Sequence, residues 1–206
     1  MKRVMGAVLL IILERVVSRF FHLDLFQWIF AQTILFALIP LAVIFALNLN
    51  RAEFGLKTHN YKKEIKYGLG LVLLATPFMI YGAMLQSFKA YYPIWAPART
   101  STQNLIFLEL VILVMMFNTE FIFRGALLFS LERFLRDKKN GVWIAILLHS
   151  IIYMLVHVGK PFLEVPYSFF VGIVFGWLTL KTRSILPSVV AHWTSSVVFD
   201  IMVLTL

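Results

Sequence analysis

The sequence contains no cysteine, which removes disulfides, thiolate metal sites and a cysteine nucleophile from consideration. It is also poor in charge, and poorer still in acid. Charged residues occupy 14% of its 206 positions, with 10 acidic side chains against 19 basic ones. A soluble globular domain carries roughly a quarter of its residues charged. What stands in their place is apolar: 61% of the residues are hydrophobic, and the mean hydropathy is +0.86. That excess belongs to a chain whose solvent is lipid. The length allows one helical unit of several spans and no second domain of ordinary size. No internal repeat, low-complexity tract or linker interrupts it. A formal charge of +9 can indicate a nucleic-acid binder. Here the basic residues sit in short loops between apolar runs, as membrane orientation signals do, so no nucleic-acid partner is expected.

About 20 apolar residues cross a hydrocarbon core. The runs predict an all-α, polytopic membrane helix bundle of six to seven transmembrane helices, at roughly 25–48, 67–86, 104–131, 142–158, 164–180 and 185–206. The seventh, 4–20, carries Glu14, Arg15 and Arg19 and reads equally as an interfacial helix. Met1–Leu13 resembles a signal peptide without a small-residue cleavage site, and is read as retained. Residues 1–50 form N-terminal membrane helices and 51–206 the core, within a single structural unit. Three links are strongly basic: Arg51, Lys57, Lys62, Lys63 and Lys66; Arg133, Arg136, Lys138 and Lys139; Lys181 and Arg183. They alternate with poorer links at 87–103 and 159–163, which places all three in the cytoplasm. With 4–20 counted as a span, the N-terminus is inside, in a multi-pass protein of the plasma membrane.

Ionisable groups inside a span are costly and mark functional candidates. Glu120 and Arg124 lie four apart on one helical face and can pair across a turn; the bland alternative is a structural ion pair. His149, Tyr153 and His157 form a stripe at four-residue spacing. His149, near the basic end, is read as structural and His157 as the deeper candidate. His192, Ser196 and Asp200 form a third stripe, while Thr194 and Ser195 read as interhelical glue. Counted from the cytoplasmic ends of their runs, Glu120, His157 and His192 lie roughly 18, 22 and 12 Å deep. Three helices thus bring a carboxylate and two imidazoles into one band, about 10 Å tall within boundary error. A carboxylate and an imidazole sheltered from water can activate a water molecule. A second imidazole with a short polar side chain can donate to an oxyanion. These are parts for amide hydrolysis. Two His and one Glu also form a catalytic zinc set, although HExxH is absent and no carboxylate partner for either imidazole is evident from the sequence.

The stretch Thr119-Glu120-Phe121-Ile122-Phe123-Arg124-Gly125 resembles the EExxxRG motif of the CAAX-protease and bacteriocin-processing (CPBP, or Abi) family of glutamic intramembrane proteases, and in particular its CAAX prenyl protease type 2-like members. Tyr153 and His157 match the second motif of that family, an aromatic followed four residues later by His. His192 matches the third, HxxxN, with Ser196 where Asn is usual. Gly172-Ile173-Val174-Phe175-Gly176, Thr182-Arg183-Ser184-Ile185-Leu186-Pro187 and Phe54-Gly55-Leu56-Lys57 are also similar to family members. The resemblance implies an intramembrane endopeptidase in which Glu120 and His157 activate water. His192, with Ser196, would stabilise the oxyanion, and Arg124 would orient Glu120. It implies peptide or membrane-protein substrates, prenylated ones included, membrane lipids as surroundings, and no cofactor. Two departures fall at the centre: Thr119 stands where the family has its first Glu, and Ser196 replaces the Asn. They keep two alternatives open, a membrane regulator or scaffold with weakened catalysis, and a zinc-dependent membrane hydrolase.

Overall fold

The computed structural model describes residues 1–206 and is entirely helical. Eight helices follow in order: α1 (Lys2–Phe20), α2 (Leu25–Ala46), α3 (Tyr61–Ala83), α4 (Gln86–Tyr91), α5 (Thr102–Leu135), α6 (Gly141–Leu155), α7 (Glu164–Thr182) and α8 (Leu186–Thr205). Five of them, α2, α3, α5, α7 and α8, are long and apolar enough to cross a membrane, which makes the chain a multi-pass membrane protein. Of the six to seven spans anticipated, five meet that measure of length and composition. The shortfall has two physical sources. α6 is apolar but only 15 residues long, and α1 carries five charged residues among its 19.

Two helices contain a wider π-helical stretch, Thr33–Leu38 in α2 and Phe121–Leu128 in α5. All eight residues of the second are buried. Of these, Ile122, Phe123, Ala126, Leu127 and Leu128 join one apolar cluster with Ala7 and Ile11 of α1, Leu35 and Phe36 of α2, and Ala145, Ile146 and Tyr153 of α6. The 34-residue α5 is the axis of the bundle, because its earlier turns build a second cluster with Ile29 and Ala98. Around it the outward rows are apolar, as in Leu73, Leu74 and Phe78 of α3. Such faces are at rest in lipid, where helix association depends on close packing rather than on expelling water. Gly172 serves that packing: a Cβ there would stand 2.9 Å from Ser150 Oγ, so its absence lets α7 lie against α6.

The three basic links meet at one end of the bundle. Glu53, in the turn Arg51–Phe54, accepts from Arg3 at 2.9 Å and from Arg133 at 2.7 Å. Glu132 pairs with Arg183 at 3.3 Å, and the Ile185 amide donates to the Gly55 carbonyl. At the opposite end, the Tyr92 hydroxyl donates to Glu164, which also holds Lys160 at 2.7 Å. Burial, and then the Glu164 carboxylate, push the Tyr92 phenol well above its ordinary range.

Candidate active site

Glu120 is the last residue before the buried π stretch of α5, and Arg124 lies within that stretch. The stretch packs against α1, α6 and α7. Arg124 follows Glu120 by four residues and sets its Nε 3.2 Å from Glu120 Oε2, both side chains being wholly inaccessible. The guanidinium lies over the Tyr153 ring of α6 at 4.0 Å from its centroid, and 5.4 Å from that of Phe175 on α7. Two aromatic faces thus supply part of what water would give the charge. Gly125 completes the seat. A Cβ on it would meet the Phe54 carbonyl at 2.8 Å, so the 51–54 turn rests directly against α5 beside Arg124.

The second oxygen of Glu120 belongs to α8: His192 Nδ1 donates to Glu120 Oε1 at 2.7 Å. A carboxylate accepts at that position, so Nδ1 carries a proton, and in the neutral ring the lone pair falls on Nε2. That Nε2 faces the Tyr153 hydroxyl at 3.5 Å. His157 lies in the turn that follows α6 and is buried. Its Nδ1 donates to the Tyr153 carbonyl at 2.7 Å, and a carbonyl can only accept. His157 Nε2 is therefore also the unprotonated nitrogen. Tyr153 stands between the two imidazoles, with ring centroids 4.6 Å from His157 and 6.3 Å from His192.

The structure accordingly brings Glu120, Arg124 and His192 into direct contact and sets His157 on the far side of Tyr153. Glu120 makes no hydrogen bond or ion pair with His157; both its oxygens are committed to Arg124 and His192. Thr119, half-buried, turns its hydroxyl back to the Met115 carbonyl at 2.9 Å. Ser196 is half-buried one turn beyond His192 on the same face of α8, and its hydroxyl is engaged by no other residue. His149 is fully buried, stacked on Tyr153, with neither ring nitrogen partnered.

Each imidazole carries the outer acceptor that a metal-bound histidine usually has, a carboxylate for His192 and a carbonyl for His157. The sequence concealed both. The donor set nevertheless does not fit a zinc centre. A catalytic zinc takes three protein ligands, Glu120 is already held by Arg124 and His192, and no three His, Cys, Asp or Glu side chains converge.

Sequence reasoning placed Tyr153 on the His149–His157 stripe and matched it as the aromatic preceding His157, but gave it no role of its own, although its ring supports Arg124 and its hydroxyl faces His192. Its place on the His149–His157 stripe was the available signal. It also passed over Glu109, whose buried carboxyl meets that of Asp200 across α5 and α8, with no donor from any other residue.

Compared with known proteins, residues 101–198 match the family model of Rce1-like type II CAAX prenyl endopeptidases. The matched segment contains all three motifs, from Glu120 and Arg124 through His157 to His192 and Ser196. No curated protein and no solved structure matches the chain.

Proposed function

Residues 101–198 belong to the Rce1-like type II CAAX prenyl endopeptidase family, and from that premise we propose that the protein is an intramembrane endopeptidase for membrane-associated or prenylated protein substrates. Its water is activated by imidazole rather than by carboxylate. One observation carries this reading: both His192 and His157 have Nδ1 bound to an acceptor, leaving two basic Nε2 atoms about a single tyrosine.

Water gives one proton to His192 Nε2, and the hydroxide attacks the scissile carbonyl. The imidazolium so formed lies against the Glu120 carboxylate, which Arg124 holds in place; a buried anion stabilises that charge far better than bulk water would. His157 Nε2 accepts a hydrogen bond from the remaining O–H of that hydroxide and sets its direction of attack. The carbonyl oxygen becomes an oxyanion and takes hydrogen bonds from the hydroxyls of Tyr153 and Ser196. His192 then returns its proton to the amine nitrogen as the C–N bond breaks, which restores the neutral imidazole. The base thereby shifts from the Glu120–His157 pair suggested by the resemblance to a histidine backed by Glu120.

A second reading, a membrane regulator with weakened catalysis, is favoured by Thr119. Its hydroxyl is spent on the Met115 carbonyl, and no carboxylate contacts His157. The two readings part on one assay, hydrolysis of prenylated and transmembrane model peptides by the purified chain in lipid. Turnover that falls at least about 10²-fold in both His192→Ala and His157→Ala, the size of a lost general base, supports the peptidase. A natural chain without turnover, and a Thr119→Glu variant that acquires it, would leave the regulator as the better description.

A further inference from the structure

We propose that a cleft at the basic end of the bundle, between the start of α1 and the end of α5, binds the phosphate headgroup of an anionic phospholipid. The cleft has a volume of about 530 Å³, and its walls include Lys2, Arg3, Val4, Ser130, Arg133 and Phe134. It lies far along α5 from Glu120 and takes no part in the chemistry assigned above.

Its charge is arranged rather than merely accumulated. One carboxylate oxygen, Glu53 Oε2, receives Nη1 of both Arg3 and Arg133, at 2.9 and 2.7 Å. Those two guanidiniums hold the Glu53 carboxyl below its ordinary range, so Glu53 is an anion whenever the cleft is in use. One negative charge cannot satisfy two guanidiniums, and each keeps further N–H donors directed elsewhere. With Lys2 the cleft retains a surplus of two positive charges. Planar forks of this kind suit the tetrahedral oxygens of a phosphate, and Glu53 has already limited their freedom. Ser130 adds a hydroxyl: it is buried in the wall and hydrogen-bonds to no other residue.

The rest of the cleft points to a lipid as the carrier of that phosphate. Val4 and Phe134 give it an apolar side, and Phe134 is 54% exposed. Lys2, Met5 and Leu9 are spaced three and four apart, hence on one stripe of α1. Met5 and Leu9 are largely exposed apolar side chains. At 1.5 Å per residue Leu9 lies about 10 Å along α1 from Lys2. A ligand seated here meets cations at one end and an apolar row leading away from them, which is the division within a phospholipid. Basic pockets between helices at the membrane surface recognise headgroups in this way.

The test uses the full chain in neutral detergent, titrated with phosphatidylglycerol or phosphatidylcholine and followed by native mass spectrometry and thermal unfolding. Phosphatidylglycerol should bind at least about tenfold more tightly than phosphatidylcholine, the equivalent of one charge-assisted hydrogen bond. The double variant Arg3→Gln/Arg133→Gln should lose that preference. Lys2→Gln, which leaves the Glu53 clamp intact, should weaken phosphatidylglycerol severalfold, and so guards against a clamp variant that simply misfolds. Lys62→Gln/Lys66→Gln removes the same charge from another basic link and should change binding less than about twofold, since no designed contact is lost. Equal loss in that control would reduce the effect to diffuse attraction and overturn the site. Displacement of the lipid by equimolar inorganic phosphate would overturn the assignment to a lipid.

Discussion

The molecule contains the same small device twice, a carboxylate between two basic side chains, once in its interior and once at its rim. Inside, Glu120 lies between Arg124 and His192, with neither Glu120 nor Arg124 accessible to solvent. At the basic end, Glu53 lies between Arg3 and Arg133, and each of the three is exposed by a third or more. The contact distances are alike, yet the two devices do different work. Solvent screens the outer one, which contributes little to stability and stays open to a ligand. The inner one holds its charges where water cannot compensate them. Its value lies in fixed geometry, and breaking it is expensive.

The sharpest way to break the comparison is to remove one inner partner. Arg124→Leu leaves the buried Glu120 without its guanidinium and should destabilise the protein by about 3–5 kcal/mol. Arg124→Leu/Glu120→Leu should recover much of that loss, because no unpaired charge remains. Unfolding in detergent measures both, and a single-variant loss below about 1 kcal/mol would make the two devices equivalent. A gentler change keeps shape and removes charge. Glu120→Gln still accepts from His192 Nδ1 but no longer stabilises the imidazolium, so turnover should fall about 10²-fold or more. The melting temperature should drop far less than for Arg124→Leu. Peptide hydrolysis measured beside thermal unfolding separates the two effects.

Part of this arrangement was legible in the sequence. The Glu120–Arg124 pair follows from four-residue spacing alone, and alternating basic links foretold that Arg133, Arg183 and the 51–54 turn share one end. The partner of His192 was not legible, since it depends on how α5 packs on α8. Nor was the π stretch Phe121–Leu128, for which no local composition is diagnostic. Through those eight residues a rotation of 100° per residue no longer applies, so counting along the sequence does not fix which way each of them faces. His157 was read as the end of a span, yet α6 stops at Leu155 and the ring folds back onto the Tyr153 carbonyl. The stripe survived because a turn that returns to residue i−4 preserves helical neighbours.

The two devices are joined through one position, and that link can be weakened by a single methyl group. Gly125 follows Arg124 and touches the carbonyl of Phe54, the neighbour of Glu53. Gly125→Ala would set a Cβ 2.8 Å from that carbonyl and 2.7 Å from the Phe121 ring. The crowding should cost about 1–3 kcal/mol and lift the 51–54 turn. Faster amide exchange at Ala52–Gly55, with unchanged exchange around His192, would locate the damage at the junction. Equal protection in both places would show that the turn is held from elsewhere.

The smallest effect belongs to the outer device and is best read through pH. Arg3 and Arg133 lower the folded-state pKa of Glu53 below 4.5, with their hydrogen bonds the leading cause. A carboxyl with a depressed folded pKa contributes stability that is fully present above its unfolded value. The contribution is lost as the pH falls through the folded one. The increment should therefore be constant from neutrality down to about pH 5 and fade below pH 4.5. Its size should not exceed about 1 kcal/mol, since the group is partly exposed and screened. Glu53→Gln removes it at every pH, so the stability difference between natural and variant chains should be small at pH 7 and vanish on strong acidification. Raising the salt from 0.05 to about 0.5 M should shrink the difference at pH 7 as well. A difference independent of both pH and salt would mean that Glu53 acts by packing rather than by charge, and the contrast between rim and interior would then rest on the inner device alone.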